Sequence, residues 1–242
     1  MRYSRSPMNI PAPHPSLIRA ISLDLDDTLW PIGPIMVRAE QALKQWLLAH
    51  APGAAAMYSQ PEWVQQARSR ALAAMAEKPH DFSAMRRDMI SQALAQAGEP
   101  TDLAVPAFEV FFAARQQVTL FDDALETLDF LAQRFPLAAL TSGNADVHRV
   151  GLGTFFQCAV SAHESGIAKP DPRIFWHTAE RLNHAPEAVL HVGDDAALDI
   201  LGARAAGMPC VWLNREGAPW VHEGPPPWTV SSLRELVHHF QA

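Results

Sequence analysis

In the stretch "ISLDLDDTLW" (residues 21–30) three aspartates, Asp24, Asp26 and Asp27, follow directly on an apolar run that reads as a buried strand. A carboxylate removed from water costs several kcal/mol unless it is paired or bound to a cation, so such a cluster needs a chemical reason. Asp24 and Asp26 stand two apart, and in extended chain they share one face with Leu25 on the other. Three later segments also end apolar runs in polar residues: Thr141 after "PLAAL", Lys169 in "SGIAKPDP", and Asp194, Asp195 and Asp199 in "AVLHVGDDAALD". Several carboxylates cannot all ionise at one place without a cation, and an all-oxygen set such as Asp24, Asp26 and Asp194 suits Mg²⁺. A carboxylate beside a hard metal can attack phosphorus and form an acyl phosphate. A second carboxyl can protonate the leaving oxygen and later take a proton from water. Lys169 can offset charge on the carboxylates and on a phosphoryl group, and Thr141 can donate its hydroxyl to a phosphoryl oxygen. Ser142, Gly143 and Asn144 read as the opening of a helix whose free N–H groups face an anion.

These groups converge only if the right elements hold them. Ile18–Asp24 is the first strand. From Ile35 to about Val118 the chain is rich in Ala, Gln, Met, Leu and Arg at helical spacing, with no strand signal. Helices are expected in "IMVRAEQALKQWLLAH", in "PEWVQQARSRALAAMAEK" behind Pro61, in "HDFSAMRRDMISQALAQAG" ending at Gly98, and in "TDLAVPAFEVFFAARQQV". From Phe121 strands and helices alternate. "PLAALT", "QCAVSA", "AVLHVGDD" and "PCVWLN" are strands, while "ADVHRVGL", "DPRIFWHTAERLNH", "LDILGARAAG" and "SSLRELVHHF" are helical. "GAPWVHEGPPPW" reads as a rigid surface loop. Such alternation predicts an α/β fold, a parallel sheet with helices on both faces, and ligand sites then lie at the carboxyl ends of the strands. The expected division is a flexible tail over 1–17, a core over 18–33 and 119–242, and an inserted all-helical cap over 34–118.

The totals narrow the classes. The chain has 242 residues and a net charge of −7, which argues against nucleic acid as a partner. Only Cys158 and Cys210 are present, both in apolar runs, so no disulfide framework is expected. No apolar run reaches membrane-spanning length, and the start lacks the apolar segment of a signal peptide. A cytoplasmic protein without a membrane partner, monomeric or homodimeric, is the expectation.

"DLDDTL", "LTSGN", "AKPDPRIF" and "HVGDDAALDILGARAAGM" together resemble the four ordered motifs of the haloacid dehalogenase superfamily of phosphohydrolases. The resemblance spans about Ile21 to Leu213. It implies a Rossmann-like core with an α-helical cap between the first and second motifs. It implies Asp24 as nucleophile, Asp26 as general acid and base, Thr141 as phosphate binder and Lys169 as the charge-neutralising lysine. Mg²⁺ would be held by Asp24, the main-chain carbonyl of Asp26, and Asp194, with Asp199 beside Lys169. The acid at Asp26 favours phosphate esters over halides, because the dehalogenating members usually lack it. "TSGN" departs from the commoner "TNGN" at Ser142. The segments "LDLDDTLW", "HVGDD", "GARAAGM" and "CVWLNREG" also resemble a bacterial subgroup that dephosphorylates flavin mononucleotide and 5-amino-6-(5-phosphoribitylamino)uracil. The partner expected is thus a small phosphate ester, with sugar, nucleotide or phosphoglycolate-type esters as alternatives. A 2-haloacid dehalogenase and a phospho-acceptor or binding module are the readings of another class.

Plainer readings compete at single residues. Asp27 is expected to shape a turn. Asp194 is preferred over Asp195 as metal ligand, with Gly193 leaving room beside it for substrate and Asp195 standing behind. Arg86 and Arg87 on a cap helix either grip the anionic end of a substrate or form a solvated helix face. His191 is expected to be a packed, hydrogen-bonded histidine.

Overall fold

Strand β1 (Ala20–Leu23) is wholly buried, as a strand covered on both faces must be, and its one polar residue, Ser22, is buried with the rest. In the computed structural model, which describes residues 10–75 and 80–241, it lies inside a six-stranded sheet of order β3-β2-β1-β4-β5-β6. The other strands are β2 (Leu137–Thr141), β3 (Cys158–Ser161), β4 (Val189–Gly193), β5 (Cys210–Leu213) and β6 (Trp228–Val230), and every pairing is parallel. The chain runs from β1 to β2 and β3 on one side, then crosses to β4, β5 and β6 on the other. That reversal falls between β1 and β4, and in open sheets of this kind ligands bind beyond the carboxyl ends of the strands at such a point. Strand β6 falls on the end of the expected surface loop. Three prolines, Pro225 to Pro227, precede it, and Trp228, Thr229 and Val230 are strand formers that pair with Val211, Trp212 and Leu213.

The α/β fold is as the alternation predicts. The chain divides into two compact units: Met1–Pro31, Thr119–Ser142 and Val147–Ala242 form one, Ile32–Val118 with Gly143–Asp146 the other. The second unit holds α1 (Ile32–His50), α2 (Pro52–Tyr58), α3 (Pro61–Ala74), α4 (Phe82–Ala97) and α5 (Ala104–Arg115). In α1 the buried Ile35, Ala39, Leu43 and Leu47 recur every four residues along one stripe. Helix α4 is capped by Asp81, whose side chain accepts the Ala84 N–H at 2.8 Å, and it stops at Gly98 with φ 69°. Helix α2 has no counterpart among the expected helices. Pro52 at its first turn was its signal, and the Glu99 carboxylate accepts the N–H groups of Gly53 and Ala54 at 2.8 and 2.9 Å.

The first unit adds α6 (Ala124–Ala132), α7 (Ala162–Ser165), α8 (Pro172–Arg181), α9 (Gly202–Ala205) and α10 (Leu233–Gln241) to the sheet. One expectation fails. "ADVHRVGL" forms a series of turns, with Gly151 at φ 84° closing one of them. "LDILGARAAG" is helical as expected, its first half within a π-helical segment, Ala196–Leu201, that leads into α9. Of the expected tail, residues 1–9 lie outside the described residues. Residues 10–17 are tied down: the Ile10 N–H donates to the Pro226 carbonyl at 2.8 Å, and Pro15–Leu17 form a 3₁₀ turn. Among the described residues no helix is long and apolar enough to cross a membrane.

Candidate active site

At the end of β1 the Asp24 N–H still donates to the Val192 carbonyl at 2.9 Å, so the sheet itself fixes this residue. Beyond it the chain turns tightly. Asp27 takes φ 58°, a conformation Asp tolerates better than most residues, and its N–H donates to the Trp30 carbonyl at 2.7 Å. The turn brings the Trp30 indole back onto Asp26, donating to Oδ1 at 2.7 Å. It also aims Thr28 at the neighbouring strand end, where its hydroxyl donates to Asp194 Oδ1 at 2.9 Å. The Trp212 indole N–H, from β5, donates to the Asp194 carbonyl at 2.7 Å. Asp194 is thus fixed through both its side chain and its main chain.

Lys169 is the hub of the buried charges. Its Nζ donates to Asp24 Oδ1 and to Asp199 Oδ1, each at 2.5 Å. Asp199 reaches this position from the π-helical segment. The Asp195 carbonyl accepts both the Asp199 and Ile200 N–H groups there, the widened turn that π segments show at functional sites. Its other oxygen accepts the Asp195 N–H at 3.0 Å. The absence of a side chain at Gly193 makes room for it, because a Cβ there would lie 2.3 Å from Asp199 Cγ. The space beside Gly193 therefore belongs to Asp199 and not to substrate, contrary to the sequence reading.

The charges do not balance. Asp24, Asp194 and Asp199 each offer an oxygen, and these oxygens lie within 4.8 Å of one another. Lys169 is the ammonium among them. Burial works against its charge, yet Asp199 and Asp24 outweigh it and hold the ammonium above its ordinary range. Asp199 stays ionised: burial is overcome by Lys169 and His191, which hold it well below the usual carboxylate range. Asp24 goes the other way, pushed up by burial and by the charges of Asp199 and Asp194 against the pull of Lys169. Asp194 is pushed up to about 7 by burial and by Asp199, against the Thr28 hydrogen bond. A cluster with this excess of negative charge, built of hard oxygen donors, fits a divalent cation such as Mg²⁺. Asp199 has both oxygens engaged, Oδ1 by Lys169 and His191 and Oδ2 by the Asp195 N–H, so Asp24 and Asp194 are the carboxylates that could hold it.

Thr141 ends β2, buried at 4% exposure, and Ser142 Oγ beside it has no hydrogen-bond partner among the described residues. Ser142, Gly143 and Asn144 do not open a helix. Gly143–Asp146 belong to the helical unit, where Asn144 Nδ2 donates to Ser83 Oγ at 3.2 Å and the Asn144 carbonyl accepts from Gln116 Nε2 at 3.2 Å. The Asp146 N–H, which a helix would need, donates instead to Gln116 Oε1 at 2.8 Å. Asp195 is turned away as a cap, its carboxylate accepting the Ala197 and Leu198 N–H groups at 2.8 Å. Arg86 and Arg87 are engaged within the helical unit. Arg86 pairs with Glu40 at 2.6 Å and lies 4.4 Å from the Phe111 ring centre, and Arg87 lies 4.9 Å from that of Phe108.

The roles of Trp30 and Trp212 were not foreseen. The i, i+4 spacing of Asp26 and Trp30 held a signal for the first, whereas the second joins residues on different strands and had none.

The model of the haloacid dehalogenase-like hydrolases matches residues 18–207. A 5-amino-6-(5-phospho-D-ribitylamino)uracil phosphatase of Escherichia coli, YigB, is 33% identical over 203 residues, covering 82% of this chain and 84% of its own. A phosphoserine phosphatase of Thermus thermophilus is 35% identical over 157 residues, covering 62% and 63%. Among solved structures, a 2-haloacid dehalogenase of Pseudomonas syringae superposes with a TM-score of 0.87 at 38% identity, covering 93% of this chain and 98% of its own.

Proposed function

The chain belongs to the haloacid dehalogenase-like hydrolase family, and we propose that within it this protein is a Mg²⁺-dependent phosphomonoesterase acting through an aspartyl-phosphate. The similarity to named enzymes points in two directions, toward phosphatases and toward a 2-haloacid dehalogenase. One observation supports the phosphatase reading. Asp26 stands two residues past Asp24, held by the Trp30 indole at 2.7 Å. A halide is a weak base and departs without a proton, so a dehalogenase has no use for an acid there. An alkoxide leaving from phosphorus needs one.

The steps follow from the residues. An Asp24 carboxylate oxygen attacks phosphorus, forming the aspartyl O–P bond as the P–O bond to the alcohol breaks. Asp26 gives its proton to the departing oxygen. Its carboxylate then takes a proton from water, which attacks the same phosphorus and releases phosphate and free Asp24. Lys169 and the Thr141 hydroxyl donate to phosphoryl oxygens, with Ser142 beside them. Asp24, Asp194 and the main-chain carbonyl of Asp26 would hold Mg²⁺, which supplies positive charge against the phosphoryl oxygens. Asp199 keeps Lys169 in place.

The proposed substrate is a small phosphate ester such as flavin mononucleotide or 5-amino-6-(5-phosphoribitylamino)uracil, supported by the similarity to YigB along most of both chains. The test is phosphate release from these two esters, sugar phosphates, nucleotides, phosphoserine and phosphoglycolate, with Mg²⁺ and with chelator, beside halide release from 2-chloropropionate. Mg²⁺-dependent phosphate release without halide release is the expected result. Halide release with no ester turned over would make the protein a dehalogenase.

A further inference from the structure

We propose that His191, clamped by Ser22, is a positioning residue for Lys169. The proposal rests on the phosphatase reading for its consequence, but the hydrogen-bond chain behind it stands on geometry alone. Ser22 on β1 and His191 on β4 are register partners, and both are fully buried. Ser22 Oγ lies 2.8 Å from His191 Nδ1, and His191 Nε2 lies 3.2 Å from Asp199 Oδ1. The Phe175 ring stands edge-on to the imidazole at 5.0 Å between centres and fixes its plane.

The directions of these bonds can be assigned. Burial lowers the tendency of His191 to take a second proton, more than Asp199 raises it, so the ring is neutral. An ionised carboxylate only accepts. The single ring proton therefore sits on Nε2 and is donated to Asp199, and Nδ1 accepts from the Ser22 hydroxyl. Asp199 Oδ1 thus takes donors from His191 and from Lys169, while Lys169 also donates to Asp24. Without the imidazole donor, Asp199 would draw Lys169 more strongly to itself. The ammonium would move off Asp24 and off the phosphoryl group it is meant to meet. His191 touches none of the reacting atoms and acts only through Asp199.

The test compares wild type with His191→Leu, His191→Gln and Ser22→Ala. Glutamine can carry an amide N–H to about the place of Nε2, and leucine cannot. His191→Leu should lose about 10- to 100-fold in kcat, by analogy with the loss of a partner that orients a metal ligand, with KM little changed. His191→Gln should recover most of that loss. The Lys169 Nζ resonance of ¹⁵N-labelled protein should move in His191→Leu and return toward the wild-type position in His191→Gln. Long-range ¹⁵N–¹H spectra of the wild type should show the Nε2–H tautomer. A merely structural role predicts equal kcat losses in the leucine and glutamine variants, following their folded fractions, with the Lys169 resonance unmoved. That result, or an Nδ1–H tautomer, overturns the proposal. If His191→Leu does not fold, Ser22→Ala carries the test. A lower kcat with a displaced Lys169 resonance supports the proposal, and no change in either overturns it. If the wild type releases no phosphate from any ester, the phosphatase reading falls, and the tautomer and the Lys169 resonance still decide whether His191 positions the lysine.

Discussion

The sheet unit holds two buried carboxylate sites that differ in one respect. Asp123 receives the Arg215 guanidinium through two hydrogen bonds, at 2.9 and 3.0 Å, and the Leu233 N–H at 2.8 Å. Burial would raise this carboxyl, but its three donors outweigh it and hold it below the ordinary range. Asp24, Asp194 and Asp199 gather around Lys169, and two of the three are pushed up. The first site is balanced and closed, as a buried pair must be if it is to hold structure together. The second is left with unneutralised charge. An arrangement that does not satisfy itself in the folded protein is the signature of a site completed by something that binds.

Substituting one acid in each site should separate stability from activity, and the largest effect is expected at Asp24. Asp24→Asn should lower kcat by at least about 10⁴-fold, as loss of a nucleophile does, measured as phosphate release under Mg²⁺. Its thermal midpoint should hold or rise, because the variant removes a carboxylate from a site with too many. Full activity in this variant would end the nucleophile assignment.

Asp26→Asn should lose about 10²- to 10⁴-fold, the range for a general acid. The loss should shrink with p-nitrophenyl phosphate, whose leaving group departs as a stable anion. An equal loss with both kinds of ester would mean that Asp26 does something other than protonate the leaving oxygen.

At the balanced site the effect moves to stability. Asp123→Ala leaves Arg215 and the Leu233 N–H without their acceptor. Since Arg215 is partly exposed, the cost should be about 2–3 kcal/mol, below the range for a fully buried pair. Denaturant unfolding measures it. The kcat of the folded fraction should stay near wild type, and a kcat collapse without destabilisation would invert the comparison.

How much of this could be read in the sequence follows from the range of the interactions. As candidates, Asp24, Thr141 and Asp194 are announced by residue type at strand ends, Asp26 in the turn just beyond one and Lys169 in a loop, and the parallel sheet follows from the alternation of apolar runs. What escaped depends on contacts distant in sequence. That Gly193 serves Asp199 could be seen only once the π-helical turn had swung that carboxylate inward. The Ser142–Asn144 segment carries small and polar residues suited to a helix start. Gln116, far off in the chain, takes the donor of Asp146, and the segment bends without forming a helix. Strand β6 was hidden because three prolines mask a strand that needs only a few residues to pair with β5.

The smallest expected effect is the dependence on pH, where the two sites should run in opposite directions. Asp194 is raised to about 7 in the folded chain without metal. Between the ordinary carboxylate value and about 7 the folded state holds a proton that the unfolded state has lost. Stability should therefore fall as pH rises through that window and then level off. Asp123 is lowered, so its contribution is complete above the ordinary carboxylate value and is lost only as pH falls below it. Metal-free protein should accordingly melt at a lower temperature at pH 8 than at pH 5, and Asp194→Asn should flatten that slope while Asp123→Ala does not. Mg²⁺ competes with the proton on Asp194, so its apparent affinity should tighten by about tenfold between pH 6 and pH 8, as titration of one such carboxyl requires. Calorimetric titration at the two pH values measures this directly. An affinity that does not change with pH would mean that Asp194 is ionised before the metal arrives, and the contrast with Asp123 would then rest on Asp24 alone.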